Sequence, residues 1–180
     1  MLFNIFKISI YTCIIITSCL FLIIKPTFSA FIESAGWLAL LGLLEYKSTA
    51  AKWKHRNSLF LLTIISYCII CFGLFGYIQE KQWIDTINCI SWLLICLILS
   101  IELYLINNRP ELNIFEHRNI YYFIFALKNL LYAIIIICAI LWSRQSTSFI
   151  DAIDAWLWLV CFFVIEANIM HSNHSKIIKN

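Results

Sequence analysis

The sequence predicts an all-α integral membrane protein of six transmembrane helices with no soluble domain. Composition carries the class: of 180 residues, 62% are apolar and only 13% charged. A soluble domain holds roughly 45–50% apolar and about 25% charged residues. The number and length of the apolar runs carry the count. The apolar residues gather in six runs, 5–24, 27–46, 58–78, 83–106, 120–142 and 149–170, and a helix needs roughly 20 such residues to cross hydrocarbon. A single core in a chain this short leaves much of its surface outside, so a water-soluble monomer is excluded. A disordered chain is excluded too, since it needs low hydrophobicity and high net charge, and the net charge here is +3.

The first run follows Asn4. Its Ile16-Thr17-Ser18-Cys19 resembles a bacterial lipoprotein cleavage box, but Leu20-Phe21-Leu22-Ile23-Ile24 follows where such a protein turns polar. Phe28 is too bulky for a signal-peptidase site in Thr27-Phe28-Ser29-Ala30. The first run is therefore read as a retained membrane helix.

The second run is the weakest. Ser29, Glu33 and Ser34 come early, and the cleanly apolar part is 35–44, so it reads as a short or tilted span or a re-entrant segment. Gly36, Ala39 and Gly42 make a flat face for close helix contact. Asn57 and Asn119 precede the third and fifth runs and suit helix N-caps. Asp85, Asp151 and Asp154 open the fourth and sixth, where acids complement the helix dipole. Tyr77, Trp83 and Trp142 sit near helix ends, where amphipathic rings favour the headgroup layer. Both prolines, Pro26 and Pro110, lie in loops or at a helix boundary. The helices should be unbroken, which counts against a transporter built on discontinuous helices.

Orientation follows from the basic residues of short loops. With six spans, one side carries Lys7, Lys47, Lys52, Lys54, Arg56, Arg109, Arg118, Lys176 and Lys179; the other carries Lys25, Lys81 and Arg144. Both termini are expected in the cytoplasm, across a plasma or bacterial inner membrane. Residues 1–180 form one polytopic domain, with hairpins at about 4–46, 57–106 and 119–170 and a cytoplasmic tail at 171–180.

The hairpins resemble one another. His55-Arg56-Asn57 precedes the third run and His117-Arg118-Asn119 the fifth. Phe31-Ile32-Glu33, Trp83-Ile84-Asp85 and Phe149-Ile150-Asp151 open the even-numbered runs, which end near Glu45, Glu102 and Glu166. Three parallel copies of a two-helix unit, related by an axis along the membrane normal, would give this pattern. Chance matches in a biased composition are the competing explanation.

Charges inside a membrane are costly, roughly 2.5–3.5 kcal/mol each on insertion scales. Lys128 is the clearest case, and Glu102 and Glu166 are its expected partners. One reading is a charged gate or ion relay; the other, preferred here, is a buried ion pair that fixes helix register. Glu45, Glu102 and Glu166 form either a cation-selecting ring or, as preferred, rim pairs with Lys54, Arg56 and Arg118. Asp154 is the deepest of the acids at the other end. Lys54, His55, Arg56, His117 and Arg118 are the candidate contacts for a cytoplasmic partner or anionic lipid.

Several classes have no support. No GxSxG, HExxH or P-loop is present, so no catalytic residue is assigned and an enzyme is not expected. His171 and His174 form an HxxH that lacks the further ligands a metal site needs, so no metal or cofactor is assigned. No aromatic box for a cofactor is visible. Nucleic-acid binding has no basic footprint. The eight cysteines all lie in apolar runs and read as small hydrophobes. The leading expectation is a membrane-embedded subunit or sensor that assembles with itself or with other membrane proteins. The second is a small ion or proton channel with Lys128 and the glutamate layer near its path. The third is an uptake component that binds a small molecule between its helices.

Overall fold

The computed structural model describes residues 2–24, 28–49, 56–108, 118–144 and 149–177. They form six α-helices: α1 (Leu2–Ile24), α2 (Phe28–Thr49), α3 (Arg56–Gln79), α4 (Trp83–Asn108), α5 (Arg118–Arg144) and α6 (Phe149–Ile177). No strand occurs among the described residues. Three helices carry stretches long and apolar enough to cross a membrane, Asn57–Gln79, Trp83–Leu105 and Tyr122–Arg144, and α1 holds a shorter one, Ile5–Leu20.

The helices outrun the apolar runs. α6 continues to Ile177 because no glycine or proline stops it, so His171 and His174 lie on the helix and not in a separate tail. Asn57 and Asn119 fall within the first turns of α3 and α5, not at the N-caps expected for them. Between α3 and α4 the chain turns through residues 80–82. The Gln82 amide donates to the Tyr77 carbonyl at 2.9 Å, and Lys81 takes the left-handed conformation that closes a helix, with φ 59°.

The packing has an inner and an outer set. α2, α4 and α6 all touch one another. Each odd-numbered helix lies against two of them: α1 against α6 and α2, α3 against α2 and α4, α5 against α4 and α6. The odd-numbered helices do not touch each other among the described residues. The most extensive contacts are α2 with α3 and α4 with α5, while α1 meets α2 only lightly and docks mainly on α6.

Gly36 explains the tight α2–α3 contact. A Cβ at Gly36 would stand 2.8 Å from Cγ2 of Ile69, so only glycine admits this approach. The flat face expected from Gly36, Ala39 and Gly42 is thus one residue wide, since Ala39 and Gly42 are exposed. The core is continuous and apolar. Ile14, Ile70 and Ile135 are fully buried on the three outer helices, and Leu44, Leu99 and Ile165 are buried to the same degree on the three inner ones.

Large apolar side chains also cover the outside, among them Ile8, Phe60, Phe72, Phe123 and Leu130. Such a belt is compatible with membrane insertion and unsuited to water. Of the three aromatic residues expected in the headgroup layer, only Trp83 is exposed. Trp142 is buried against Cys138, Ala139, Ala152 and Ala155, and Tyr77 hydrogen-bonds Glu33. The cysteines are free, with Cys89, Cys96, Cys138 and Cys161 buried as part of the apolar interior.

Candidate functional site

Polar side chains collect at the two ends of the bundle. At the end where α2, α4 and α6 finish, Lys128 on α5 reaches both inner carboxylates. Its Nζ donates to Glu102 Oε2 at 3.2 Å and Glu166 Oε2 at 3.0 Å. Tyr132, one turn further along α5, donates to the other oxygen of Glu166 at 3.1 Å. Glu102 is only 5% exposed, so this pair sits where the loss of either partner would strand a charge.

The same grouping recurs on α1 and α2. Lys7 bonds Glu45, and Tyr11 donates to its second oxygen at 2.6 Å. The spacings match: lysine and glutamate lie 38 residues apart in both groups, and tyrosine and glutamate 34. A third, uncharged version stands on α3 and α4. Tyr67 and Ser100 hydroxyls meet at 3.5 Å, and Thr63 takes the place one turn before the tyrosine that lysine holds elsewhere. Lys47, assigned to a loop by its sequence, is a buried residue of α2 whose ammonium donates to that Thr63 at 2.8 Å.

Glu45 is thus bound to Lys7, and Glu102 and Glu166 to Lys128; the expected rim partners Lys54, Arg56 and Arg118 fall outside these groups' described contacts. Lys54, His55 and His117 lie outside the described residues, as do the side chains of Arg56 and Arg118. Asp154 is not part of this end. It precedes Glu166 by twelve residues on α6, about 18 Å along a helix.

At the opposite end, where the inner helices begin, lies a cavity of about 670 Å³. Each inner helix contributes a polar residue and, one turn deeper, a tryptophan: Glu33 and Trp37, Asn88 and Trp92, Asp154 and Trp158. Trp37 meets Trp158 edge-on with ring centroids 6.1 Å apart. Trp92 packs on Phe162 at 4.6 Å, which places an aromatic floor beneath the polar layer.

That layer is held in place by hydrogen bonds. Glu33 accepts from the Tyr77 hydroxyl at 2.8 Å and from Trp37 Nε1 at 3.4 Å. Its carboxyl lies over Gly73, where a Cβ would stand 2.8 Å from Glu33 Cδ. Asp154 accepts from Thr17 at 2.7 Å. Asn88 Oδ1 is buried with no hydrogen-bond partner. Glu80 and Asp85 also line the cavity, and no lysine, arginine or histidine does among the described residues.

Of the candidates read from the sequence, the structure joins Lys128 with Glu102 and Glu166, sets Glu45 in its own group, and places Asp154 in the cavity. It adds Lys7, Tyr11, Tyr132, Glu33, Asn88 and the three tryptophans. The sequence held two signals for them: the repeated lysine–tyrosine–glutamate spacing, and a polar residue four before a tryptophan within each even-numbered helix. Glu33 thus corresponds to Asn88 and Asp154, one helical turn beyond the Asp85 and Asp151 that open the same helices. In this register each polar residue is followed one turn later by a tryptophan of the aromatic lining. Among the described residues, no group of three or more potential ligands could hold a metal ion.

No family model, curated protein or solved structure matches this chain.

Proposed function

We propose that this protein is a multi-pass membrane protein that binds a small molecule in the cavity lined by α2, α3, α4 and α6, at the end facing away from the cytoplasm. It serves as an uptake or sensing component. The observation that carries this reading is the convergence of Glu33–Trp37, Asn88–Trp92 and Asp154–Trp158 on one cavity. A volume of about 670 Å³ falls within the roughly 300–1,000 Å³ of small-molecule sites, which combine apolar walls with a few placed polar groups.

The reading includes six spans, arranged as three hairpin repeats at 4–46, 57–106 and 119–170. Even the shortest helix has 22 residues, or about 33 Å, against roughly 30 Å of hydrocarbon. Matching buried positions on successive helices support the repeat. So do the two lysine–tyrosine–glutamate groups with their uncharged counterpart. The basic loops then put both termini in the cytoplasm and the cavity on the opposite face. The bilayer itself is the partner of the exposed apolar belt.

The channel reading stands behind this one. A path along the bundle would have to pass Ile95, Leu99, Phe162 and Ile165, which are all buried and apolar. Lys128 and its glutamates then serve to fix the register of α4, α5 and α6.

The test is thermal unfolding of the protein in mild detergent against a panel of small molecules of mixed charge, with the mass of the particle measured alongside. A compound at 100 times its Kd stabilises by about 2.7 kcal/mol. The reading expects at least one stabilising compound. A panel without one, together with a second protein at fixed ratio, returns the chain to the subunit reading.

A further inference from the structure

We infer that a groove between α3 and α4 holds one anionic membrane phospholipid, its acyl chain along the two helices and its phosphate beside Lys47. The site lies at the opposite end of the bundle from the small-molecule cavity and does not depend on it. Its depth, its opening and its charge each point to this occupant.

Depth comes first. The groove has a volume of about 610 Å³ and follows α3 from Asn57 to Tyr67. That length of helix rises about 15 Å, one leaflet of a hydrocarbon core roughly 30 Å thick. Asn57 immediately precedes the apolar run, so the groove starts at the edge of the hydrocarbon and ends near its midplane. An acyl chain anchored by its head group covers the same depth. A partner helix crossing the bilayer would need a seat about twice as long.

The opening comes second. Phe60 and Ile64 on one wall, and Leu97 and Ile101 on the other, are exposed. They belong to the outer apolar belt, so the groove opens sideways to lipid and not to water. Helix α3 packs mainly on α2 and more lightly on α4, which leaves space for a chain between them.

Charge comes third. Lys47 lines the groove from the end of α2, where its ammonium donates to the Thr63 hydroxyl at 2.8 Å. The middle hairpin's own glutamate, Glu102, turns away to Lys128 at 3.2 Å, and no acid lines the groove among its described residues. The sequence adds Lys52, Lys54 and Arg56 between Lys47 and Asn57, and no Asp or Glu occurs from residue 46 to 79. A basic pocket between membrane helices suits an anionic head group, and basic residues beside the surface strengthen the attraction.

The test uses the full chain, stripped of lipid in mild detergent, and reads native mass spectrometry and thermal unfolding. The probes are dioleoylphosphatidylglycerol, dioleoylphosphatidylcholine and glycerol phosphate. The two lipids share their chains and differ in net charge, and the third has the phosphate without a chain. Phosphatidylglycerol should be retained as a single molecule per chain, at least ~10-fold more tightly than phosphatidylcholine, and should raise the unfolding temperature. Glycerol phosphate should do neither at the same concentration. Lys47→Met should weaken phosphatidylglycerol retention by ~10-fold or more and leave phosphatidylcholine unaffected. Leu97→Trp should weaken both lipids by filling the groove; Leu97 is 47% exposed, so the ring occupies the groove and not the core. If Lys47→Met does not fold, Leu97→Trp and the comparison of the two lipids decide.

Equal retention of the two lipids, or undiminished phosphatidylglycerol retention by Lys47→Met, overturns the anionic head group. Glycerol phosphate binding as well as the lipid does would make this a site for free phosphate and overturn the lipid. Undiminished retention by Leu97→Trp overturns the groove. A lipid-free particle of two chains that Leu97→Trp separates would give the groove to a second copy, and the inference falls.

Discussion

Tyr132 donates to Glu166 across the α5–α6 interface at 3.1 Å, and the 34 residues between them are the same number that separate Tyr11 from Glu45. Each glutamate also takes a lysine one turn before its tyrosine. In the third position Tyr67 meets Ser100 at 3.5 Å, a long contact between neutral groups. The consequence is graded. Tyr132→Phe removes a hydrogen bond to a charged group and should cost about 1.5–3 kcal/mol. Tyr67→Phe should cost about 1 kcal/mol or less. Thermal unfolding of the two variants in the same detergent checks the order, and equal losses would contradict it.

Lys128 is the cation at which α4, α5 and α6 meet. Lys128→Met leaves two inward carboxylates without it and should destabilise by about 3–5 kcal/mol. Adding Glu102→Gln and Glu166→Gln should recover much of that loss, because the stranded charges are then gone. A triple variant as unstable as Lys128→Met would mean that the lysine acts through packing alone.

Two glycines of α2 make opposite predictions. Gly36→Ala drives a methyl to 2.8 Å from Ile69 and should cost about 1–3 kcal/mol through overpacking. Gly42→Ala meets nothing within 4 Å and should stabilise by up to about 1 kcal/mol through helix propensity. Unfolding midpoints of the pair read this directly.

Topology is open to a reporter test. A fluorescent protein that matures only in the cytoplasm should glow when fused after Asn180 and stay dark when fused after Lys81. The reverse pattern would invert the bundle and turn the cavity to the cytoplasm. Two bright fusions would break the six-span count.

Much of the fold was legible in the sequence because lipid imposes a simple rule. Backbone groups in hydrocarbon must bond internally, so apolar runs of sufficient length become helices. The runs located all six. Their ends were less legible, since polar residues such as His171 and Asn173 continue a helix as readily as they leave it. The partners of Lys128 could be read because few charges lie deep in the chain. The Lys7–Glu45 bond could not, as both residues stand near helix ends where solvated pairing is the ordinary case. The cavity was hidden for another reason. Its three polar–tryptophan pairs come from helices more than fifty residues apart in sequence. A tryptophan one turn past a polar residue says nothing until α2, α4 and α6 are seen to face one another.

Native mass spectrometry of the detergent-released protein tests the central claim most directly. The wild-type chain would be saturated with the strongest stabiliser from the mixed-charge panel, and the variant Trp92→Leu with Trp158→Leu treated alike. The account predicts one small molecule retained per wild-type chain and none on the double variant, with both forms folded. A wild-type particle that retains nothing, or one whose retained molecule survives the loss of both tryptophans, would contradict it.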